Sequence, residues 1–266
     1  MSDFVMEHSL RKSFSIQCRV IGALLMREII TRYGRHNIGV LWLIVEPMLF
    51  TLGVATLWHL AKLHVLSNIP IIAFAITGYS SVLIWRNATS HCSKAIEPNL
   101  ALMYHRNVKV IDIFASRVIL EIIGATASFT ILTVFFASVG AMQWPQDLIP
   151  VFGGWFLLCW FAFAFGFIVG ALSERTEAIE RTWHIVTYLL FPLSGAVFMV
   201  HWLPEGARDA LLWLPMVHGV EMIRHGFFGN IVPTYEDPGY FATVNALTTL
   251  IGLILVRECG RRVQPE

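Results

Sequence analysis

The 266-residue chain is predicted to be an all-α integral membrane protein, a bundle of six transmembrane helices with both termini in the cytoplasm. Three observations carry that prediction. Six apolar stretches run from Ile38 to Leu60, Ile69 to Ser90, Ile111 to Ala137, Leu148 to Leu172, Arg181 to Met199 and Tyr240 to Val256. A helix rises about 1.5 Å per residue through a hydrocarbon core about 30 Å thick, so about 20 apolar residues suffice to cross it. The composition agrees: 56% of residues are hydrophobic, 14% are charged and the mean hydropathy is +0.65. Soluble domains are roughly half apolar and a quarter charged. Finally, with the amino terminus inside, every Lys and Arg except Lys62, Arg208 and Arg224 falls on the cytoplasmic side, and an even number of spans returns the carboxyl terminus there. The whole chain, 1–266, reads as one transmembrane domain: a cytoplasmic segment over 1–37, the bundle over 38–258 and a cytoplasmic tail from 259.

The first element is an amphipathic interface helix. Phe14, Cys18, Ile21, Leu25 and Ile29 recur at three- and four-residue spacing, while Arg19, Arg27 and Thr31 fall opposite. With Arg32 and Arg35 these arginines form a basic face placed to meet anionic headgroups, including those of a lipid-linked substrate. The first 35 residues lack the compact apolar core and small-residue cleavage site of a removable signal peptide.

In the first span the costly residue is Glu46, followed by Pro47, because a carboxylate in hydrocarbon needs a partner or water. It sits about 12 Å beyond Ile38 by helical rise, and Arg86 sits at comparable depth in the second span, so an ion pair between them is expected. The loop from His91 to Lys109 is polar and broken at Pro98; Ala95 to His105 is predicted to form a short helix that docks on a soluble partner. Gly166 and Gly170 make a GxxxG in the fourth span and allow close helix approach, within one chain or between two. Glu177 and Arg181 are spaced to pair at the start of the fifth. From His201 to Gly239 the chain carries Pro204, Pro215, Pro233 and Pro238, yet Ala210 to Val220 is apolar. Two short re-entrant helices in the outer leaflet before the last span fit that pattern. No inverted duplication is visible, which weighs against a transporter built from inverted repeats.

The chemistry-bearing residues are few. There is no HExxH, no GxSxG and no closely spaced carboxylate pair in an accessible loop, so neither hydrolysis nor glycosyl transfer has a site. No GxxxxGK[ST] loop is present to cradle nucleotide phosphates; if ATP drives this protein, another polypeptide binds it. Cys18, Cys92, Cys159 and Cys259 show no CxxC spacing, which argues against disulfides and thiolate metal sites. The net charge of +1, without a basic stripe interleaved with aromatics, gives no reason to expect a nucleic-acid partner. Trp58, Trp144, Trp202 and Trp213 fall at an outer aromatic belt, and Trp42, Trp85 and Trp183 at an inner one. Tyr79, Trp160 and Tyr188 lie deeper, where stacking on sugar faces would suit a polysaccharide conduit.

Tyr33, Gly39, Trp42 and Pro47 together resemble the opening motif of type 2 ATP-binding-cassette exporter permeases, Y-x-x-x-x-x-G-x-x-W-x-x-x-x-P. The run from His218 to Phe228, with Glu221 and Arg224, is similar to that family's element before the last span. The resemblance extends over nearly the whole chain and points toward the capsular polysaccharide export permeases of Gram-negative bacteria, the KpsM-like group. It implies a homodimer in the bacterial inner membrane that binds two separate ATPase subunits, in which ATP and magnesium reside, with no cofactor and no metal in this chain. It implies further export partners in the periplasm and outer membrane. The coupling helix would map onto Glu97 to Arg106, with Glu97, Pro98, Asn99, Tyr104 and Arg106 facing the ATPase. The conduit would form at the dimer interface, directing attention to Trp42, Glu46, Trp58, Tyr79, Trp183, Tyr188 and Phe198, and the segment from Leu203 to Phe228 would close the exit. The substrate implied is a lipid-linked capsular polysaccharide. Export of an O-antigen, a teichoic-acid precursor or a small lipid or drug is the alternative within transport; a membrane-embedded glycan-processing enzyme or a scaffold is the alternative outside it.

Overall fold

Hydrocarbon leaves backbone polar groups no partner but the chain itself, and helices meet that demand locally. The computed structural model describes residues 2–33, 38–60, 69–105 and 108–263, and the side chains of 11–32, 41–60, 69–104 and 108–263. Among the described residues there is no strand. The α-helices are α1 (Ser2–Tyr33), α2 (Ile38–Leu60), α3 (Ile71–Cys92), α4 (Leu100–His105), α5 (Val110–Ser138), α6 (Leu148–Ser173), α7 (Glu177–Leu193), α8 (Glu205–Leu211), α9 (Pro215–Phe228) and α10 (Pro238–Val263).

Local chemistry sets several ends. Asp112, at the third position of α5, accepts the Lys109 backbone N–H at 3.1 Å, satisfying a donor the helix leaves orphaned. Asp147 caps α6 by accepting the Ile149 N–H at 2.9 Å, while its own N–H reaches the Gly226 carbonyl at 2.9 Å and ties α6 to α9. Glu177 and Glu180 occupy the first turn of α7, at the positive end of its dipole. That helix stops at Leu193 because Gly195 takes a φ of +84°, so the expected fifth span ends well before Met199.

α6 is the hub, packed against α3, α5, α7, α9 and α10. The GxxxG serves this packing inside the chain. A Cβ at Gly170 would lie 2.7 Å from Cε1 of Phe114 on α5 and 3.1 Å from the Cys92 carbonyl on α3, and one at Gly166 would meet Val118 at 3.2 Å.

Among the described residues, four helical stretches are long and apolar enough to cross a membrane: Leu41–Leu60, Val110–Ser138, Leu148–Ser173 and Pro238–Val263. The other two expected spans differ from these for visible reasons. α3 is long enough, but Thr77, Tyr79, Ser80, Ser81 and Thr89 dilute its apolarity; all five are buried, because neighbouring helices enclose it. Thr77, Ser81 and Thr89 return their hydroxyls to carbonyls one turn back. α7 has 17 residues and begins with a charged turn. The free cysteines are Cys18, exposed, Cys159, partly exposed, and Cys92 and Cys259, buried.

Candidate functional site

Three regions hold the residues singled out from the sequence. The first surrounds α4. A turn of 3-10 helix over Glu97–Asn99 leads into it, as the short helix expected between Ala95 and His105. Ala95, Ile96, Asn99 and Met103 are buried, whereas Glu97, Pro98, Leu100 and Tyr104 are exposed, Tyr104 by 82%. Glu97, Leu100 and Tyr104 are thus exposed within eight residues of one another. Arg106 and Arg35 lie outside the described residues.

α1 holds this region from behind. Arg27 donates Nη1 to Oδ1 of Asn99 and Nη2 to the Pro98 carbonyl at 3.3 Å, and Asn99 donates to the Ala95 carbonyl at 2.7 Å. Asn99 is therefore buried and latches the turn to α1. The basic face expected to meet lipid is largely spent on protein. Arg32 contacts Glu28 and Glu121, each at 2.5 Å, and of the three described arginines of that face only Arg19, bonded to its own Ser15 carbonyl at 3.4 Å, stays on the open side. The helix rolls accordingly: Leu24 and Glu28 are buried while Phe14 is 71% exposed, so the apolar stripe starting at Phe14 does not mark the packed face. Burial works against the charge of Arg32, but Glu121 and Glu28 outweigh it and raise its pKa.

That cluster was missed in the sequence. Glu28 also meets Arg117 at 3.1 Å, so α1 and α5 are joined by alternating charges in a mostly buried place, and Glu121 also meets His91 of α3 at 2.9 Å. The readable signal was a pair of four-residue spacings, Glu28 with Arg32 and Arg117 with Glu121. On the opposite flank Lys94 pairs with Glu180 at 3.1 Å. Partial burial, then Glu97 and Glu180, push the Glu174 carboxyl above the usual range.

The second region is the face shared by α2, α3 and α7. Trp42, Glu46 and Tyr188 are exposed on it. The expected Glu46 to Arg86 ion pair is absent: Arg86 places its guanidinium 5.1 Å from the Tyr188 ring centroid and 5.4 Å from that of Phe191. Aromatic rings, which carry no net charge, take the arginine that depth alone assigned to the carboxylate. Tyr79 is buried among Phe191 at 5.4 Å, Phe50 at 5.9 Å and Trp58 at 5.9 Å. Trp58 stacks on Phe74 at 5.6 Å, and Trp183 is buried against Phe165 at 5.3 Å. Tyr79, Trp58 and Trp183 thus pack within the chain. Trp160 donates to Thr249 of α10 at 2.9 Å.

The third region follows α7. Arg224, wholly buried, donates to the carbonyls of Phe198 at 2.6 Å and Ala196 at 3.2 Å, and lies 4.2 Å from the Phe74 ring centroid. Glu221, 3.8 Å away, accepts the Val200 N–H at 3.4 Å. Gly78 makes room, since a Cβ there would sit 2.5 Å from the Ala196 carbonyl and 2.7 Å from Arg224. The pair staples residues 196–200 to α3 and α9, and Phe198 takes part through its carbonyl. Arg224, placed by its loop among the outer cations, is an interior residue.

Among the described residues no group of His, Cys, Asp or Glu is arranged to hold a metal ion. A helical bundle with several membrane-capable helices, an exposed turn before α4 and a mixed aromatic and charged face has the build of a membrane transport permease. The chain belongs to the ABC-2 type transporter family, whose profile matches residues 19–228. It is 42% identical over 256 residues to the capsule polysaccharide export inner-membrane protein BexB of Haemophilus influenzae, covering 96% of this chain and 97% of that protein. It is 43% identical over 255 residues to the capsule polysaccharide export inner-membrane protein CtrC of Neisseria meningitidis serogroup B, covering 96% of each. The polysialic acid transport protein KpsM of Escherichia coli is 27% identical over 247 residues, 93% of this chain and 96% of that one.

Proposed function

We propose that this chain is the inner-membrane permease subunit of an ATP-binding-cassette exporter of lipid-linked capsular polysaccharide, driven by a separate ATPase. The observation that carries the reading is 42% identity to a capsule polysaccharide export inner-membrane protein over 96% of the chain, with no phosphate-binding loop in the sequence.

In this reading α3 and α7 cross the membrane with the four apolar helices, both termini are cytoplasmic, and α8 and α9 form the re-entrant element at the outer side. Two copies pair across the face of α2 and α7. Glu46 supports that arrangement: an exposed carboxylate amid Trp42, Leu49 and Tyr188 is costly against lipid and is relieved by a water-filled path between two copies. The sugar chain then passes Trp42, Glu46 and Tyr188, which stay accessible in the single chain. Leu100 and Tyr104 seat on the ATPase, and Arg27 passes its motion to α1. Periplasmic and outer-membrane proteins receive the product.

The test is ATP hydrolysis by this protein copurified with the ATPase encoded beside it, comparing the natural chain with one in which residues 97–106 are replaced by a Gly/Ser linker. Hydrolysis that depends on the natural segment, together with loss of surface capsule, is the expected result. An ATPase that neither copurifies nor responds overturns the exporter reading in favour of a glycan-processing enzyme or scaffold.

A further inference from the structure

We propose that a groove between the start of α5 and the end of α10 binds a resident anionic phospholipid. The groove encloses about 690 Å³ and is lined by Lys109, Val110, Ile111, Leu253, Val256, Arg257, Gly260 and Arg261. That volume is in the range of small-molecule sites. Its two chemistries are segregated. Lys109, Arg257 and Arg261 stand at the rim, and Val110, Ile111, Leu253 and Val256 form the apolar part.

The three cations have no ion-pair partner among the described residues, although carboxylates are close in sequence. Asp112 is occupied by Gln17 at 2.7 Å and by the Lys109 backbone N–H, and Glu258 by Arg175 at 2.5 Å and Arg262 at 2.9 Å. The positive end of the α5 dipole adds to the same field. Three like charges around one cavity repel each other unless an anion sits among them, and a phosphate supplies it.

The ligand has a second, apolar part. Along α10, Arg261, Arg257, Leu253, Leu250 and Leu247 follow at three- and four-residue steps, so one stripe runs from the cations into exposed leucines. A headgroup phosphate held at the rim lays its acyl chains down this stripe. Basic pockets between helices at the cytoplasmic surface bind acidic lipid headgroups by this combination. No residue of α2 or α7 lines the groove, and the inference requires only that the chain reside in a membrane; it stands or falls separately from export.

The test uses the full chain in nanodiscs of 80% zwitterionic and 20% anionic phospholipid, extracted into mild detergent, with retained lipids counted by native mass spectrometry. The natural protein is expected to keep anionic over zwitterionic lipid. Lys109→Ala with Arg257→Ala and Arg261→Ala is expected to lower that retention at least about tenfold, taking each basic residue near an anionic surface as roughly a fivefold effect. Gly260→Leu keeps every charge and fills the groove, since a Cβ there meets nothing nearer than Val110 at 3.9 Å; it is expected to lower retention as well. The conservative triple Lys109→Arg, Arg257→Lys, Arg261→Lys is expected to retain lipid, separating loss of the site from loss of the fold. Equal retention by the alanine triple overturns the proposal. So does an equal loss in the surface control Arg181→Ala with Glu177→Ala, an exposed pair outside the groove. So does displacement of the lipid by soluble glycerophosphate as effective as by a short-chain anionic phospholipid, which would mark a bare phosphate site.

Discussion

Replacing Arg27 by Ala is expected to release the docking turn from α1. The change removes the guanidinium hydrogen bond to buried Asn99 and the longer one, 3.3 Å, to the exposed Pro98 carbonyl. A hydrogen bond to a charged group contributes about 1.5–3 kcal/mol net, and the solvent-facing bond adds little, so about 2 kcal/mol is lost. That is roughly a 30-fold shift in the balance between the latched and released turn. Asn99 keeps its bond to the Ala95 carbonyl at 2.7 Å, so the turn itself persists and the effect is on its attachment. Amide hydrogen exchange over residues 95–105 reads this directly, with exchange through local opening expected to quicken about 30-fold. Arg19→Ala, which touches only its own helix, is the control. Arg27→Ala and Asn99→Ala combined should fall short of additivity by about 1–2 kcal/mol. Exchange within twofold of the natural protein, or an equal rise in the control, refutes the latch. With the ATPase bound, the same variant should hydrolyse ATP without proportionate export.

Arg224→Met leaves Glu221 buried without its cation and two carbonyls without their donor; a loss of about 3–5 kcal/mol is expected in denaturation measured in detergent, partly recovered by adding Glu221→Gln. Gly170→Ala drives a methyl against Phe114, which is fully enclosed, and should destabilise by about 1–3 kcal/mol, whereas Gly22→Ala, with nothing within 4 Å, should not. Glu121→Gln removes the charge that holds Arg32 of α1; a protease susceptibility assay should show α1 detaching, and unchanged cleavage would contradict the cluster's role. Glu174 holds its proton more tightly folded than unfolded, so its charge weakens the fold above the folded pKa and the effect vanishes below the unfolded one. Glu174→Gln should therefore raise the Tm slightly at pH 8 and leave it unchanged near pH 3.

The difference between what was readable and what was not follows the type of interaction. Helix periodicity, the apolar runs, the GxxxG and the proline-broken segments before α10 rest on neighbours along the chain, and each appears as a helix or close contact near its expected place. α4 was legible for the same reason: a proline and a short amphipathic run suffice to mark it. The partners of the charged residues were not legible. Depth along two spans put Glu46 beside Arg86, but depth leaves the rotation of each helix free, and the rotation found turns Arg86 to Tyr188 and Phe191. The arginines of α1 looked like a lipid-facing row because Glu121 and Asn99, which receive Arg32 and Arg27, are 89 and 72 residues further on.

By itself the sequence determined an apolar, helical membrane protein, because hydrophobicity acts through solvent and needs no partner in space. Only the tertiary structure decided which aromatics are core, since Tyr79, Trp58 and Trp183 pack inward while Trp42 and Tyr188 remain exposed. It alone decided that Arg224 and Arg32 hold backbone and carboxylate inside the chain. A buried charge takes its partner from whatever helix packs beside it, and that neighbour is chosen by the whole bundle at once.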